Sequence, residues 1–131
     1  MTIKKRLILL AHAFVGWFLC MMTIVLGKTI TGEVGTDVLI VHAIGAPIYF
    51  FLVSLVYFRK FNYTPPLQTA AIFTAFVVIV DFLLVALVIN RSLEMFTSLL
   101  GTWIPFALIF TSTYLTGVMI SESSVRKSAA I

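Results

Sequence analysis

Residues 69–89 read TAAIFTAFVVIVDFLLVALVI, and apart from Asp81 no charged side chain interrupts them. At about 1.5 Å rise per residue, a helix of this length covers a hydrocarbon core of roughly 30 Å. Lipid offers the backbone no hydrogen-bond partners, so a spanning segment must be a helix or a strand of a closed barrel. Barrel strands alternate apolar and polar residues over about ten positions. The run 76–89 shows no such alternation. The reading is a transmembrane helix.

Three more stretches of the same kind lie at 7–27, 38–58 and 97–120. Over the whole chain of 131 residues, 61% are hydrophobic and 11% are charged. A soluble domain is about 45–50% apolar and about 25% charged. So small a chain cannot hide that much apolar surface from water. The fold expected is an all-α membrane protein, one domain of four transmembrane helices in an up-down-up-down bundle.

The breaks between spans are legible. Residues 28–37 contain Gly32, Gly35, Glu33 and Asp37, and Asp37 is placed to cap the second helix. Residues 59–68 contain Pro65-Pro66, which stop a helix from continuing. Residues 90–96 form a short polar turn, and 121–131 is a Ser-rich stretch expected to be a flexible tail. The head Lys4-Lys5-Arg6 followed by an apolar run resembles a signal peptide. That run is longer than a signal h-region, and no small-x-small site follows it, so an uncleaved first span is expected.

The net charge is +4, and the positives gather at span ends. With the N-terminus inside, one side holds Lys4, Lys5, Arg6, Arg59, Lys60, Arg126 and Lys127, and the other only Lys28 and Arg91. That bias places both termini in the cytoplasm, in a plasma (inner) membrane. No basic run is long enough for nucleic acid. Arg59-Lys60 suits orientation and anionic-lipid contact. Asn62-Tyr63-Thr64 and Asn90-Arg91-Ser92 match a glycosylation pattern, but the first faces the cytoplasm and the second hugs the membrane.

The two hairpins invite comparison as a parallel repeat. A shift of 58 places Pro47 over Pro105 and Ser54 over Ser112. A true repeat would imply a pseudo-two-fold axis along the membrane normal.

Asp81 is the only acid deep in a span. Placing it there costs roughly 2.5–3.5 kcal/mol on insertion scales. A carboxyl that gains or loses a proton at depth suits proton coupling or cation binding; the plainer reading is a hydrogen-bonded contact between helices. Counting from the outer ends, Trp17, Tyr49, Pro47 and Pro105 share its layer, with Thr102 and Trp103 slightly further out. Tyr49, Thr102 and Trp103 are candidate donors to its carboxylate. Pro47 and Pro105 each free a carbonyl one turn earlier, at Ala43 and Gly101, and each is expected to kink its helix.

His42 lies near the outer end of the second span and His12 near the inner end of the first. Either imidazole can relay protons or ligate haem. Their separation, on the order of 15 Å along the normal, prevents both from binding one iron. His42 is also placed for an outward proton path to Asp81. Other metal and cofactor sites are not indicated.

Stripes at helical spacing run through His12, Gly16 and Cys20, through Ala70, Thr74, Val77 and Asp81, and through Ser98, Thr102, Pro105, Ile109 and Ser112. Small residues let helices approach closely in lipid, so these stripes are expected to face the interior or another subunit. Phe50, Phe51, Phe76, Phe82 and Phe110 are read as lipid-facing or packing residues, and Trp103, Tyr57 and Tyr63 as anchors. Cys20 has no partner cysteine for a disulfide. Nucleophile elbow, phosphate loop and zinc signature are lacking, which weighs against an enzyme.

The first functional expectation is a proton- or cation-linked transporter or channel built on Asp81. The second is an accessory or scaffold subunit of a larger membrane complex. The third is a haem or quinone redox protein. Four helices enclose little room, so a homo-oligomer or larger assembly in the lipid bilayer is expected.

Overall fold

A computed structural model describes residues 2–33, 35–84 and 102–130 of the chain, with side chains of the last helix described through Glu122. These residues form four helices: α1 (Ile3–Thr31), α2 (Thr36–Lys60), α3 (Pro66–Val80) and α4 (Ile104–Ala130). All four are long and apolar enough to cross a membrane, α3 when taken with its continuation as Pro66–Leu84. The fold is therefore that of a small polytopic membrane protein. Its surface agrees: Ile40, Val41, Ile44, Ile48 and Leu52 of α2 and Leu10, Phe14 and Phe18 of α1 are exposed. Hydrocarbon, unlike water, exacts nothing for this.

The boundaries follow local chemistry. Thr2 caps α1 by accepting the Lys5 N–H at 3.3 Å. Gly32 closes α1 in the left-handed region, φ 88°, with its N–H on the Lys28 carbonyl. Asp37, expected to cap α2, sits inside its first turn. The cap position is Gly35, and Asp37 accepts the Val38 N–H at 2.9 Å instead. The acid still lies at the positive end of the helix. Pro65 precedes α3 and Pro66 opens it, where a missing N–H costs nothing.

α1 and α2 extend the stretches 7–27 and 38–58 by two to four residues at each end, and α3 begins three residues before 69. The described part of the third ends at Leu84. Residues 85–101 lie outside the described residues, and with them Asn90, Arg91, Ser98, Gly101 and the first part of the fourth span. The stretch expected as a loose tail is helical as far as Ala130, because nothing after Gly117 breaks a helix.

Contacts set the directions of the helices. Gly27 meets Val38, and Gly16 meets Phe50, so α1 and α2 run antiparallel. Ser54 bonds Thr113 and Phe58 meets Gly117, so α2 and α4 run the same way. Among the described residues the α2–α4 pairing is the most extensive. Ser112 Oγ donates to the Pro47 carbonyl at 2.7 Å, and Ser54 Oγ to Thr113 Oγ1 at 3.3 Å. Burial aligns α2 with α4 at a shift of 59: Ala46 with Pro105, Phe50 with Ile109, Ser54 with Thr113, Phe58 with Gly117. Matching prolines suggested 58. Which residues face inward, rather than which are alike, sets the register.

The core joins Leu9, Ala13, Trp17 and Cys20 of α1 to Phe50, Val53 and Tyr57 of α2, Phe73 and Val77 of α3, and Phe106 and Ile109 of α4. Phe50 is thus a core residue, while Phe51 and Phe82 face outward as expected. Tyr57, expected as an anchor, is fully buried. Its hydroxyl shares a hydrogen bond with Thr64 Oγ1 at 2.7 Å and accepts the Tyr63 N–H at 3.2 Å. A buried phenol needs such partners. They are supplied by the loop that the two prolines force.

Candidate intramembrane proton site

The site begins with the spacing of α1. Gly16 and Trp17 are adjacent and so point about 100° apart. Gly16 is pressed against Phe50 of α2, which leaves Trp17 to face α3. Trp17 is 6% exposed, so its indole N–H must find an acceptor inside the bundle. That acceptor is Asp81: Trp17 Nε1 donates to Asp81 Oδ1 at 2.8 Å. The bond ties α1 to α3 between residues 64 positions apart.

Asp81 stands where α3 changes. Its backbone N–H is shared between the carbonyls of Val77 and Val78, and residues 81–84 continue as a wider π-type turn. Single π-turns inside α-helices recur at functional sites. Here the turn carries the one acid that the described spans hold in their interior. The indole N–H can only donate. Its bond is strongest when the carboxyl is ionised. It therefore compensates part of the cost of a charge at this depth.

Tyr49 is not the donor that its depth suggested. Its hydroxyl pairs with Thr23 Oγ1 of α1 at 2.6 Å. The ring folds back along its own helix, so that a Cβ on Gly45 would stand 3.6 Å from the hydroxyl. Thr23 in turn donates to the Leu19 carbonyl at 3.0 Å. Thr102 is buried, and Trp103 is half exposed with its ring edge-on to Phe106 at 5.7 Å. Both lie on a wide turn immediately before α4.

Pro47 lies inside α2 as read, but the carbonyl engaged by the neighbouring helix is its own, taken by Ser112. Pro105 is the second residue of α4, follows the wide turn at 102–103 and is buried; residues 97–101, on the far side of the expected kink, lie outside the described residues.

The two histidines occupy different places. His12 Nδ1 lies 2.7 Å from the Ile8 carbonyl, with its ring edge-on to Tyr57 and Phe61 at 5.5 and 5.1 Å. His42 is partly buried, and its Nδ1 is buried with no hydrogen-bond partner. Thr74 Oγ1, on the Asp81 face of α3, is the other buried polar atom without one among the described residues. The Gly16–Phe50 contact fixes the relative heights of α1 and α2. By rise per residue, His12 then lies about 7 Å to one side of the Trp17–Asp81 bond and His42 about 11 Å to the other. No three His, Cys, Asp or Glu side chains among the described residues gather as a metal site.

Of the small and polar stripes read from the sequence, Gly16, Cys20, Ala70, Val77, Thr102, Pro105 and Ile109 are buried, His12, Thr74, Asp81 and Ser112 are partly buried, and Ser98 lies outside the described residues. The residue that sequence reasoning missed is Trp17. Depth placed it beside Asp81, but the donors considered were Tyr49, Thr102 and Trp103. The usable signal was that an indole in the interior of a span needs an acceptor.

Comparison of the chain with protein families, with curated proteins and with solved structures gives no match.

Proposed function

We propose that this membrane protein is a proton- or cation-linked transporter or channel, with Asp81 as the group that takes up and releases the transported charge. The observation that supports this reading is the Trp17–Asp81 hydrogen bond, 2.8 Å long and set inside the apolar spans at a π-turn. A carboxyl in lipid is expensive, and packing alone would be served as well by a neutral side chain. The indole donor makes the ionised form tolerable, so that the site can exist in both protonation states.

The membrane proposed is a plasma (inner) membrane with both termini cytoplasmic, from the seven-to-two distribution of Lys and Arg. The interior of a single bundle is filled by Phe50, Tyr57 and Phe73, all fully buried. A path for a solute larger than a proton therefore belongs to a homo-oligomer or to a complex with other membrane subunits.

The experiment is flux into vesicles. The full chain is reconstituted in liposomes holding a pH-sensitive dye, and a pH gradient is imposed with potassium and valinomycin present. Flux above protein-free vesicles that falls to background in Asp81→Asn, with helix content and elution volume preserved, supports the proposal. Equal flux in Asp81→Asn and the unaltered protein overturns it. A second protein retained in fixed ratio through mild-detergent purification would favour the accessory-subunit reading instead.

A further inference from the structure

We propose that the first turn of α1 and the last turn of α2 together bind the phosphate headgroup of an anionic phospholipid. The site stands apart from Asp81 and does not depend on the transport reading.

Three observations carry the proposal. The first is charge. α1 and α2 run antiparallel, so the start of one meets the end of the other. Arg6 lies ten residues before Gly16 and Lys60 ten after Phe50, so the Gly16–Phe50 contact puts the two cations at one level. Lys4, Lys5, Arg6, Arg59 and Lys60 are all exposed there. Among the described residues none of the five forms an ion pair, and the one acid at that end is Glu122 of α4, which forms none either. Like charges gathered at one level repel one another unless an anion lies among them.

The second is the way the two ends are joined. Lys5 Nζ lies over the Tyr63 ring, 5.0 Å from its centroid. The Tyr63 N–H is held in turn by the Tyr57 hydroxyl of α2 at 3.2 Å. The start of α1 is thereby fixed to the loop that leaves α2, and the cations of both helices are held as one group.

The third is what lies inward of each cation. Residues three, four or seven apart share a helix face. At these spacings Leu7 follows Lys4, Leu10 follows Arg6, Val56 precedes Lys60 and Leu52 precedes Arg59, and all four are exposed. Each positive group thus stands at the head of an apolar strip. A phospholipid has the same order, a charged headgroup with acyl chains behind it, whereas a soluble anion has only the first part. Arg6 and Arg59 can each grip two phosphate oxygens at once, and the lysines add point charges.

The test uses the full chain in phosphatidylcholine bilayers that carry a trace of chain-spin-labelled phosphatidylglycerol or phosphatidylcholine. Electron spin resonance reads the fraction of label immobilised on the protein. The unaltered protein should hold the anionic lipid about threefold or more over the zwitterionic one, and the preference should fall at high salt. Lys4→Gln, Arg6→Gln, Arg59→Gln and Lys60→Gln together should abolish the preference, with helix content and elution volume preserved. Arg59→Gln with Lys60→Gln, which leaves α1 untouched, should reduce it, and Lys28→Gln, at the opposite end of α1, should keep it. Equal retention of the two lipids by the unaltered protein overturns the proposal without any variant. So does a preference that survives the fourfold change, or one that Lys28→Gln removes. Displacement of the labelled lipid by glycerol phosphate would assign the site to a soluble anion and overturn the lipid.

Discussion

Gly16 of α1 lies directly under the ring of Phe50 of α2, so close that a Cβ there would stand 2.6 Å from Phe50 Cζ. The contact lets the two backbones approach in a medium that gives no hydrophobic drive between helices. It also rotates the neighbouring Trp17 toward α3. Gly16→Ala should destabilise the bundle by about 1–3 kcal/mol, the usual range for overpacking a filled core. Gly32→Ala is the contrast. It meets nothing within 4 Å but has φ 88°, so its cost should be backbone strain alone, about 1–2 kcal/mol. Reversible unfolding in mixed micelles measures both. Only Gly16→Ala should also weaken the Trp17–Asp81 coupling.

That coupling is itself measurable. Trp17→Phe keeps an aromatic ring, smaller than the indole, and removes the donor. Of its cost, about 0.6–1.7 kcal/mol should be the lost hydrogen bond, the range found between membrane helices, and the rest the buried ring volume. A double-mutant cycle of Trp17→Phe with Asp81→Leu isolates the bond. A coupling energy near zero would mean that the indole and the carboxyl do not pair in the membrane.

Two serines pin α2 to α4, and they predict different partners. Ser54→Ala should lose about 0.6 kcal/mol, a loss that vanishes in a Thr113→Val background. Ser112→Ala should lose as much and be independent of Thr113→Val, because its acceptor is the Pro47 carbonyl. The same unfolding assay distinguishes the two patterns. Equal coupling of both serines to Thr113 would contradict the register described.

Tyr57→Phe removes the hydroxyl that serves Thr64 and the Tyr63 N–H while leaving the ring that fills the core. The groups left behind are buried or partly buried, so the expected cost is about 1–3 kcal/mol. Thermal unfolding followed by circular dichroism reads this loss. Thr64 Oγ1 keeps its hydrogen bond to Thr69 Oγ1, so the group left without its partner is the Tyr63 N–H, and a second change, Thr64→Val, should not restore the loss.

Much of this architecture was legible because lipid imposes few choices. A stretch such as 38–58 has one fold available to it, and Pro65-Pro66 mark where it must stop. The inward faces of α1 and α4 followed from helical spacing of small residues. What could not be read was azimuth. Trp17, Tyr49 and Asp81 share a depth, but depth does not say which helix each side chain turns toward. Tyr49 went to Thr23 because Gly45 gave its ring room, and Trp17 went to Asp81 because Phe50 had claimed the adjacent face. Tyr57 misled for a related reason. Its place near a span end suits an anchor, and only the fold of the loop at 61–65 shows that its hydroxyl is enclosed.

The widened turn at 81–84 acts as a phase shifter. One residue more per turn sets the side chains of residues 82–84 on bearings that an unbroken helix would not give them, by up to about 100°. Removing Leu83 from within this turn should therefore restore a regular winding beside Asp81. The wall around the carboxyl would be redrawn, while the aspartate itself stayed in the chain.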